Sequence, residues 1–279
     1  MKSKYMYYIY LLISVGLTLV LNNFYDIFKE AYSWWLVPLL IAGFFLGFII
    51  LQLLLFFGMI IFTNLNKPTD KSENFFRFLL KISLPVIVTA AMVRIKTQGL
   101  EKELPENTRM LFVCNHQHDF DPVIIFRVFS NVKIGFIGKK EIYETRPIIA
   151  RAMHRLNSLP IDRENDREAA KTIINAIKII KEDKASMALF PEGYVSKSCE
   201  LLPFRNGSLK IALKSKAPVV VCAINNTRAL PKRIFRRVTT VELRLLDIIY
   251  PEQYEGMNTQ ELGDIIHKEM EEALADMRK

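Results

Sequence analysis

The apolar residues of the chain are concentrated in its first third. Residues 5–25 include no charged side chain, and a second uncharged run extends from 31 to 66. A helix that rises about 1.5 Å per residue needs roughly 20 residues to cross the hydrocarbon of a bilayer. Both runs are long enough, so the pattern predicts a transmembrane helical hairpin at residues 1–66, with spans at about 5–25 and 34–62.

Basic residues flank this hairpin on one side. Two precede the first run and four follow the second: Lys2, Lys4, Lys67, Lys71, Arg77 and Lys81. The short connecting loop, Tyr25–Ser33, contains only Lys29. Because basic flanks stay in the cytoplasm, we expect an integral membrane protein with two spans and a catalytic domain that faces the cytoplasm.

Two further features bear on how the hairpin joins the rest of the chain. Gly43 and Gly47 form a GxxxG pattern, which either packs the two spans together or consists of two unrelated glycines. The apolar patch Ile82–Val93 has 12 residues and contains Pro85, so it is too short to span. We expect it in the membrane interface or against the catalytic core, within a linking helical region at 67–95.

After about residue 95 short apolar runs alternate with helical patterns. Strands are predicted at Arg109–Cys114, Val132–Gly138, Ser186–Phe190, Pro218–Ile224 and Val238–Ile249. Helices are predicted at Pro122–Ser130, Glu164–Lys184 and Leu209–Lys216, and from the capping box Asn258/Glu261 to about Arg278. Such alternation is typical of an α/β fold. We therefore expect a catalytic domain at 96–279 with a mostly parallel sheet flanked by helices.

Composition and charge narrow the classes of partner. The chain has 279 residues, 51% hydrophobic, and a net charge of +9, which suits phosphorylated metabolites, acidic lipid headgroups or nucleic acid. Nucleic acid is disfavoured because the charge is dispersed and no reading motif is present. The basic stretch Lys232, Arg233, Arg236 and Arg237 either contacts acidic headgroups or is a solvated loop. Three cysteines without a CxxC pattern argue against a disulfide framework or zinc site.

The first candidate site follows the predicted strand that ends at Cys114. His116 has the residue type of a general base, and Asp121 is spaced to orient its ring. The same Asp121, followed by proline, also suits the start of the next helix. With His118 and Asp119 nearby, a His/His/Asp metal site is a second alternative. Cys114 is interpreted as a core residue rather than a nucleophile.

Three other segments are candidates for a binding site. Glu192 and Gly193 follow a predicted strand, where the glutamate either points into a cleft or belongs to an ordinary loop exit. Arg163 either clamps a phosphate or pairs with a neighbouring acid, Asp162 or Glu164. Arg205 opens a predicted helix, where it either helps to hold an anion or belongs to a plain cap.

Taken in order and spacing, these blocks resemble a known family. The glycerolphosphate/lysophospholipid acyltransferases, and among them the 1-acylglycerol-3-phosphate acyltransferases, have NHxSxxD, a GxxxIDR-like block, FPEG and then a short apolar block. The corresponding segments here are Asn115–Asp121, Asn157–Arg163, Phe190–Ser196 and Pro218–Ile224. The resemblance covers roughly residues 90–225.

The resemblance implies a fold, a reaction and roles. It implies a glycerolphosphate acyltransferase-like fold and transfer of an acyl group from acyl-CoA or acyl carrier protein to the hydroxyl of 1-acylglycerol-3-phosphate, without a metal or other cofactor. His116 would accept the hydroxyl proton and Asp121 would orient it. Arg163, Glu192, Gly193 and Arg205 would bind the glycerol phosphate. The alternatives are another acceptor (glycerol-3-phosphate, another lysophospholipid or a glycolipid precursor), or a membrane-anchored hydrolase or binding protein.

The sequence departs from the family pattern at several positions. His118 replaces the usual serine of the first block, and Asn157 replaces the opening glycine of the second. Tyr194 and Val195 replace the common Thr-Arg after FPEG, which removes one cation that Lys197 would replace. These changes leave the catalytic pair intact and leave the identity of the acceptor open.

Overall fold

The N-terminal third forms a helical hairpin. The computed structural model describes residues 4–25, 34–67, 69, 72–196, 198–230 and 237–278. Helix α1 (Lys4–Tyr25) and helix α2 (Leu36–Ile61) match the two predicted spans and are long and apolar enough to cross a membrane. Most of their large apolar side chains are exposed, unlike those of a core helix in a soluble protein.

A third helix joins the hairpin to the rest of the chain. The predicted apolar patch is the second half of α3 (Glu73–Ala90), which packs against α2. At this contact the buried side chain of Gln52 accepts a hydrogen bond from Tyr10 Oη at 3.0 Å and donates to Ser83 Oγ at 3.2 Å. Gly43 and Gly47 do not mediate packing, because no described atom lies within 4 Å of the place of a Cβ. Of the two alternatives for the GxxxG pattern, the structure therefore supports two unrelated glycines.

A seven-stranded sheet follows. Its strands are β1 (Val93–Gln98), β2 (Leu111–Cys114), β3 (Ile134–Lys139), β4 (Leu159–Ile161), β5 (Ser186–Leu189), β6 (Val219–Asn225) and β7 (Thr239–Ile249). Their spatial order is β1-β7-β6-β2-β5-β3-β4. The run from β6 to β4 is parallel, whereas β7 is antiparallel to β6, and β1 is parallel to β7. The sheet is therefore mixed, with a parallel centre as predicted.

Helices cover both faces of the sheet. They are α4 (Asp121–Val128), α5 (Lys140–Thr145), α6 (Pro147–Arg155), α7 (Asp166–Lys181), α8 (Lys210–Ser215) and α9 (Thr259–Met277). In β2, Leu111 and Val113 belong to one core while Phe112 and Cys114 belong to the other. Burial on both faces explains why β2 and β6 are continuous apolar runs in the sequence. The capping box of Asn258 and Glu261 opens α9 as predicted.

The sequence pattern missed four short elements: β1, β4, α5 and α6. Strand β1 begins at Val93, a few residues before the expected start of the catalytic domain, and has charged or polar residues at four of its six positions. It lies at an edge, where only one neighbouring strand requires pairing. Strand β4 has three residues, too few for any periodicity.

Candidate active site

The site lies at the carboxyl ends of the parallel strands. The buried side-chain amide of Asn115 fixes the end of β2 there. Asn115 is 2% exposed; its side chain donates to the carbonyl oxygen of Ile224 at 2.9 Å and accepts from the same residue's N–H at 2.7 Å. The two bonds tie β2 to the neighbouring strand β6. The loop that begins at the next residue, His116, is thereby anchored to the middle of the sheet.

His116 and Asp121 are in direct contact. Nδ1 of His116 lies 2.8 Å from Oδ2 of Asp121, whose side chain is fully buried, whereas the imidazole is 13% exposed. An ionised carboxylate only accepts hydrogen bonds, so the proton is on Nδ1 and Nε2 is left as an acceptor. This arrangement of ring and carboxylate is that of a general base with its orienting acid.

Asp121 serves the loop before it rather than the helix that it opens. Its Oδ2 also accepts from the backbone N–H groups of Gln117 at 2.7 Å and His118 at 2.8 Å. The first helical N–H groups, those of Val123 and Ile124, instead donate to the carbonyl oxygen of Phe120. The capping alternative therefore does not describe this carboxylate, although Asp121 does begin α4.

Phe190 and Glu192 hold the other side of His116. The Phe190 ring stacks on the imidazole at a centroid distance of 4.0 Å and an interplanar angle of 9°. Glu192 is 3% exposed, and its two oxygens accept from the backbone N–H of His116 at 2.6 Å and of Leu202 at 2.9 Å. Both carboxylate oxygens are thus bonded to backbone, so Glu192 joins two loops beneath the imidazole.

The environment of Glu192 favours its neutral form. Burial is the main cause that raises the pKa of Glu192 to about 7, and the charge of Asp121 acts in the same direction. The two backbone hydrogen bonds and the charge on His116 oppose this rise. A carboxyl group that is bonded to the backbone of His116 therefore changes charge near neutral pH.

The turn after Glu192 requires glycine. Gly193 has φ +76°, in the left-handed region, and a Cβ there would lie 3.1 Å from Cδ of Arg205. The chain then returns to the first loop, since the N–H of Ser196 donates to the carbonyl oxygen of His116 at 2.8 Å. Glycine is thus needed both for the backbone conformation and for the close approach of Arg205.

Arg163 and Arg205 meet at the ring of Tyr194. Their Cζ atoms lie 5.6 and 5.2 Å from the centroid of that ring, and Arg205 Nη2 donates to the tyrosine oxygen at 3.1 Å. The predicted alternative partner of Arg163, Asp162, pairs instead with Lys140 at 3.3 Å. Burial, followed by the charge of Arg205, lowers the pKa of Arg163.

The metal alternative receives no geometric support among the described residues. They contain no group of three or more His, Cys, Asp or Glu side chains placed to hold a metal ion. Nδ1 of His118 accepts from the N–H of Phe120 at 3.1 Å, so it closes a local turn. Cys114 is 1% exposed, and burial raises the pKa of its thiol well above the usual value, as expected for a core residue.

The departure from the family pattern at Asn157 has a structural explanation. Asn157 has φ +59°, a left-handed conformation that asparagine tolerates better than most residues other than glycine, which is why it can occupy the position of a glycine.

Lys197 lies outside the described residues, as do Lys232, Arg233 and Arg236 of the basic stretch. The loop at 26–33, with Lys29, also lies outside them, and so do Lys2 and Lys71.

The structure brings the predicted site residues together in two adjoining groups. His116, Asp121 and Glu192 form one, and Gly193, Arg163 and Arg205 surround Tyr194 in the other. Sequence reasoning missed Phe190 as a stacking partner and Tyr194 as the centre of the second group. The departure at Tyr194 from the family pattern was the available signal.

Comparisons with known proteins find similarity to acyltransferases. The family model described as Acyltransferase matches residues 94–225. The chain is 31% identical over 137 residues to a 1-acyl-sn-glycerol-3-phosphate acyltransferase of Limnanthes douglasii, covering 48% of this chain and 46% of that protein. It is 26% identical over 184 residues to the protein of the same name from Haemophilus influenzae, covering 64% and 75%.

A solved structure extends the likeness to nearly the whole chain. The crystal structure of the 1-acyl-sn-glycerophosphate (LPA) acyltransferase PlsC from Thermotoga maritima aligns with a TM-score of 0.62 over 98% of both chains, at 19% identity. At this identity the likeness shows the fold, including the two N-terminal helices. By sequence, the chain spans about half the length of the plant relatives that it matches.

Proposed function

Since its residues 94–225 make this chain a member of the acyltransferase family, we propose that it transfers a fatty acyl group from an acyl thioester to the free hydroxyl of 1-acylglycerol-3-phosphate, which yields phosphatidic acid. The observation that carries the proposal is the contact of 2.8 Å between His116 and Asp121 on the sheet edge that also presents Arg163 and Arg205. A proposed base and two cations that suit a phosphate on one edge of the sheet support this reaction.

The proposed mechanism uses the imidazole twice. Nε2 of His116 accepts the proton of the acceptor hydroxyl while the hydroxyl oxygen attacks the thioester carbonyl. The tetrahedral intermediate, whose oxyanion would be held by nearby N–H groups or cations, then breaks its C–S bond, and the thiolate takes the proton from the imidazolium. Asp121 remains ionised and stabilises that imidazolium. General base catalysis of this kind contributes about 10²–10⁴-fold.

The donor in this proposal is acyl-CoA or acyl carrier protein, and the reaction requires no metal or other cofactor. Both donors present phosphate groups or other negative charge to a chain whose net charge is +9. Assays of one acceptor with each donor in turn distinguish between them.

Radiolabelled acyl transfer by the purified protein tests the reaction. We expect the wild type to acylate 1-acylglycerol-3-phosphate and a folded His116→Ala variant to lose about 10²–10⁴-fold in kcat. Equal activity of the variant would remove the proposed base. A panel of glycerol-3-phosphate, other lysophospholipids and a glycolipid precursor identifies the acceptor. Release of free fatty acid without acylation of any acceptor would favour a hydrolase instead.

We also propose that the hairpin of α1 and α2 is integral to the membrane. Its large apolar side chains are mostly exposed, as bilayer insertion requires, and none of its described residues from 5 to 25 or from 36 to 61 is charged. Because α3 packs beside α2 at Gln52, the part of α2 that extends beyond this contact is residues 36–51, a length of about 24 Å. A full crossing of about 30 Å therefore brings the α3 contact into the membrane as well.

The basic flanks support a cytoplasmic catalytic domain with the loop at 26–33 outside. A single cysteine introduced into that loop tests this topology in intact cells. Labelling by a membrane-impermeant reagent from outside supports two spans. Labelling that requires access from the cytosol would contradict this orientation.

A further inference from the structure

The ring of Tyr194 contacts two cations, Arg163 and Arg205. The described carboxylate that acts on Arg163, that of Glu141, does so through its charge and not through an ion pair. Arg163 and Arg205 form no ion pair within the described ranges, and the nearby carboxylate of Asp162 is bonded to Lys140. The tyrosine ring is 51% exposed, so the cluster opens to solvent. Contact with an aromatic ring offsets part of the repulsion between two guanidinium groups. An anion bound here would be attracted by both guanidinium groups.

The hydroxyl of Tyr194 is available as a donor. Its oxygen accepts the hydrogen bond from Arg205 Nη2 at 3.1 Å, so its own proton points elsewhere. No described residue accepts that proton in the structure. The cluster therefore offers three donor groups to one anion: two guanidinium groups and a phenol.

The cluster is continuous with the catalytic loop. Tyr194 follows Gly193, over which the Arg205 side chain packs, and the residue before that glycine, Glu192, bonds to the backbone of His116 at 2.6 Å. Arg205 is fixed further by its own N–H, which donates to the carbonyl oxygen of Pro191 at 2.8 Å. An anion at Tyr194 would thus be held by the same short segment that supports the imidazole.

We propose that Tyr194 determines acceptor specificity: its hydroxyl donates to the phosphate of the acceptor while its ring holds Arg163 and Arg205 around that phosphate, so that a phosphomonoester is preferred to a phosphodiester. The inference rests on the proposed function. A phosphomonoester carries a charge of about −1.5 to −2 and three acceptor oxygens, which three donors match. A phosphodiester has one charge and two free oxygens, and its second substituent competes with the ring for space.

The test compares two acceptors of the same acyl chain, lysophosphatidic acid and lysophosphatidylglycerol, in the full-length purified protein. Tyr194→Phe keeps the ring and removes the donor, so we expect the KM for lysophosphatidic acid to rise roughly ten-fold with kcat within about two-fold. The KM for lysophosphatidylglycerol should not change. Tyr194→Leu also removes the ring and should reduce the preference for the monoester further.

Tyr250→Phe is the matched control. Tyr250 is 42% exposed and follows the last residue of β7, Ile249, which pairs with the first residue of β6 and so lies at the opposite edge of the sheet. This variant should leave both KM values unchanged. If Tyr194→Phe and Tyr194→Leu leave the ratio of the two KM values as in the wild type, the inference is wrong.

A second readout separates this inference from the proposed function. If the wild type acylates neither lysolipid, the proposed function fails, and thermal unfolding with glycerol-3-phosphate then tests the anion site alone. A rise in Tm for the wild type that is lost in Tyr194→Phe supports the site, with glycerol as the uncharged control. An equal rise in both proteins, or no rise in either, overturns it.

Discussion

At the scale of single residues, the carboxylate of Asp121 forms several hydrogen bonds at once. One oxygen accepts from His116 Nδ1 and from two backbone N–H groups, all within 2.8 Å. The side chain therefore fixes the shape of the loop and the tautomer of the imidazole together. In the proposed mechanism, its negative charge favours the imidazolium that forms during acyl transfer.

Replacement of Asp121 by asparagine separates shape from charge. An amide oxygen can still accept some of these bonds, but it does not stabilise an imidazolium, so we expect kcat for acyl transfer to fall at least about 10²-fold. The measurement is steady-state kinetics with the acceptor varied at a saturating donor concentration. Circular dichroism of the same variant checks that it is folded. A folded Asp121→Asn variant with kcat within three-fold of the wild type, on the order of 0.6 kcal/mol, would contradict the role of the charge.

Glu192 predicts a pH dependence of stability. Its pKa is raised from the ordinary value to about 7, so the folded chain holds this proton more tightly than the unfolded chain. The stabilisation is fully present below the ordinary pKa and is lost as pH rises through 7. The total loss is on the order of 3 to 4 kcal/mol.

Glu192→Gln is the variant that reports this titration. Its amide offers one acceptor for two backbone N–H groups, so the variant should be less stable than the wild type at pH 5. Between pH 5 and 8, however, its Tm in detergent should fall less steeply. Parallel curves for the two proteins would show that Glu192 does not titrate in this range.

Residue roles could be predicted from sequence only where chain spacing decides contact. His116 and Asp121 share one loop, so their spacing predicted the contact that the structure has. The contact between Glu192 and the backbone of His116 joins residues 76 apart, and no local pattern encodes it. The meeting of Arg163 and Arg205 at Tyr194 is of the same kind.

At the scale of secondary-structure elements, Asn115 decides how β2 and β6 are joined. Asn115→Ala would leave both the N–H and the carbonyl of Ile224 without their partner in a buried environment. Each unsatisfied buried group costs about 1–3 kcal/mol, so for two groups we expect a loss of about 2–6 kcal/mol in the free energy of unfolding.

Ser208→Ala is the control for this substitution. Ser208 also donates from a side chain to a backbone carbonyl, that of Arg205 at 3.1 Å, but in an exposed position. Its loss should change the free energy of unfolding by less than about 0.5 kcal/mol. Denaturant unfolding in detergent measures both variants, and equal effects would show that Asn115 is not a structural tie.

Sequence analysis predicted five strands, and three of them, β2, β5 and β6, are buried along nearly their whole length. β2, β5 and β6 are continuous apolar runs because each lies inside the sheet. Edge strands β1 and β4 lack that signal. β1 consists mostly of polar or charged residues, and β4 has only three residues. The antiparallel direction of β7 depends on where the chain returns, which its own alternating pattern does not specify.

At the scale of the whole molecule, helix α6 places the catalytic loop beside the hairpin. Arg155 at its end donates to Oγ1 of Thr63, just after α2, at 2.7 Å. Arg146, directly before it, pairs with Asp119 of the catalytic loop at 3.4 Å. Between them Ile148 and Ile149 are 53% and 41% exposed. Exposed apolar residues with flanking arginines suit the surface of an anionic membrane.

We therefore expect α6 to rest on the bilayer and to bring His116 to the level of the lysolipid. Replacing Ile148 and Ile149 by serine removes part of this contact, about 1 kcal/mol for two partly buried side chains, so kcat/KM for a long-chain lysolipid in vesicles should fall about five-fold. With a short-chain, water-soluble lysolipid kcat/KM should be unchanged, because that substrate does not require the membrane. The matched control replaces Ile174 and Ile265, which are 63% and 46% exposed on α7 and α9. An equal loss with both acceptors, or in the control, would show that α6 acts through stability and not through the membrane.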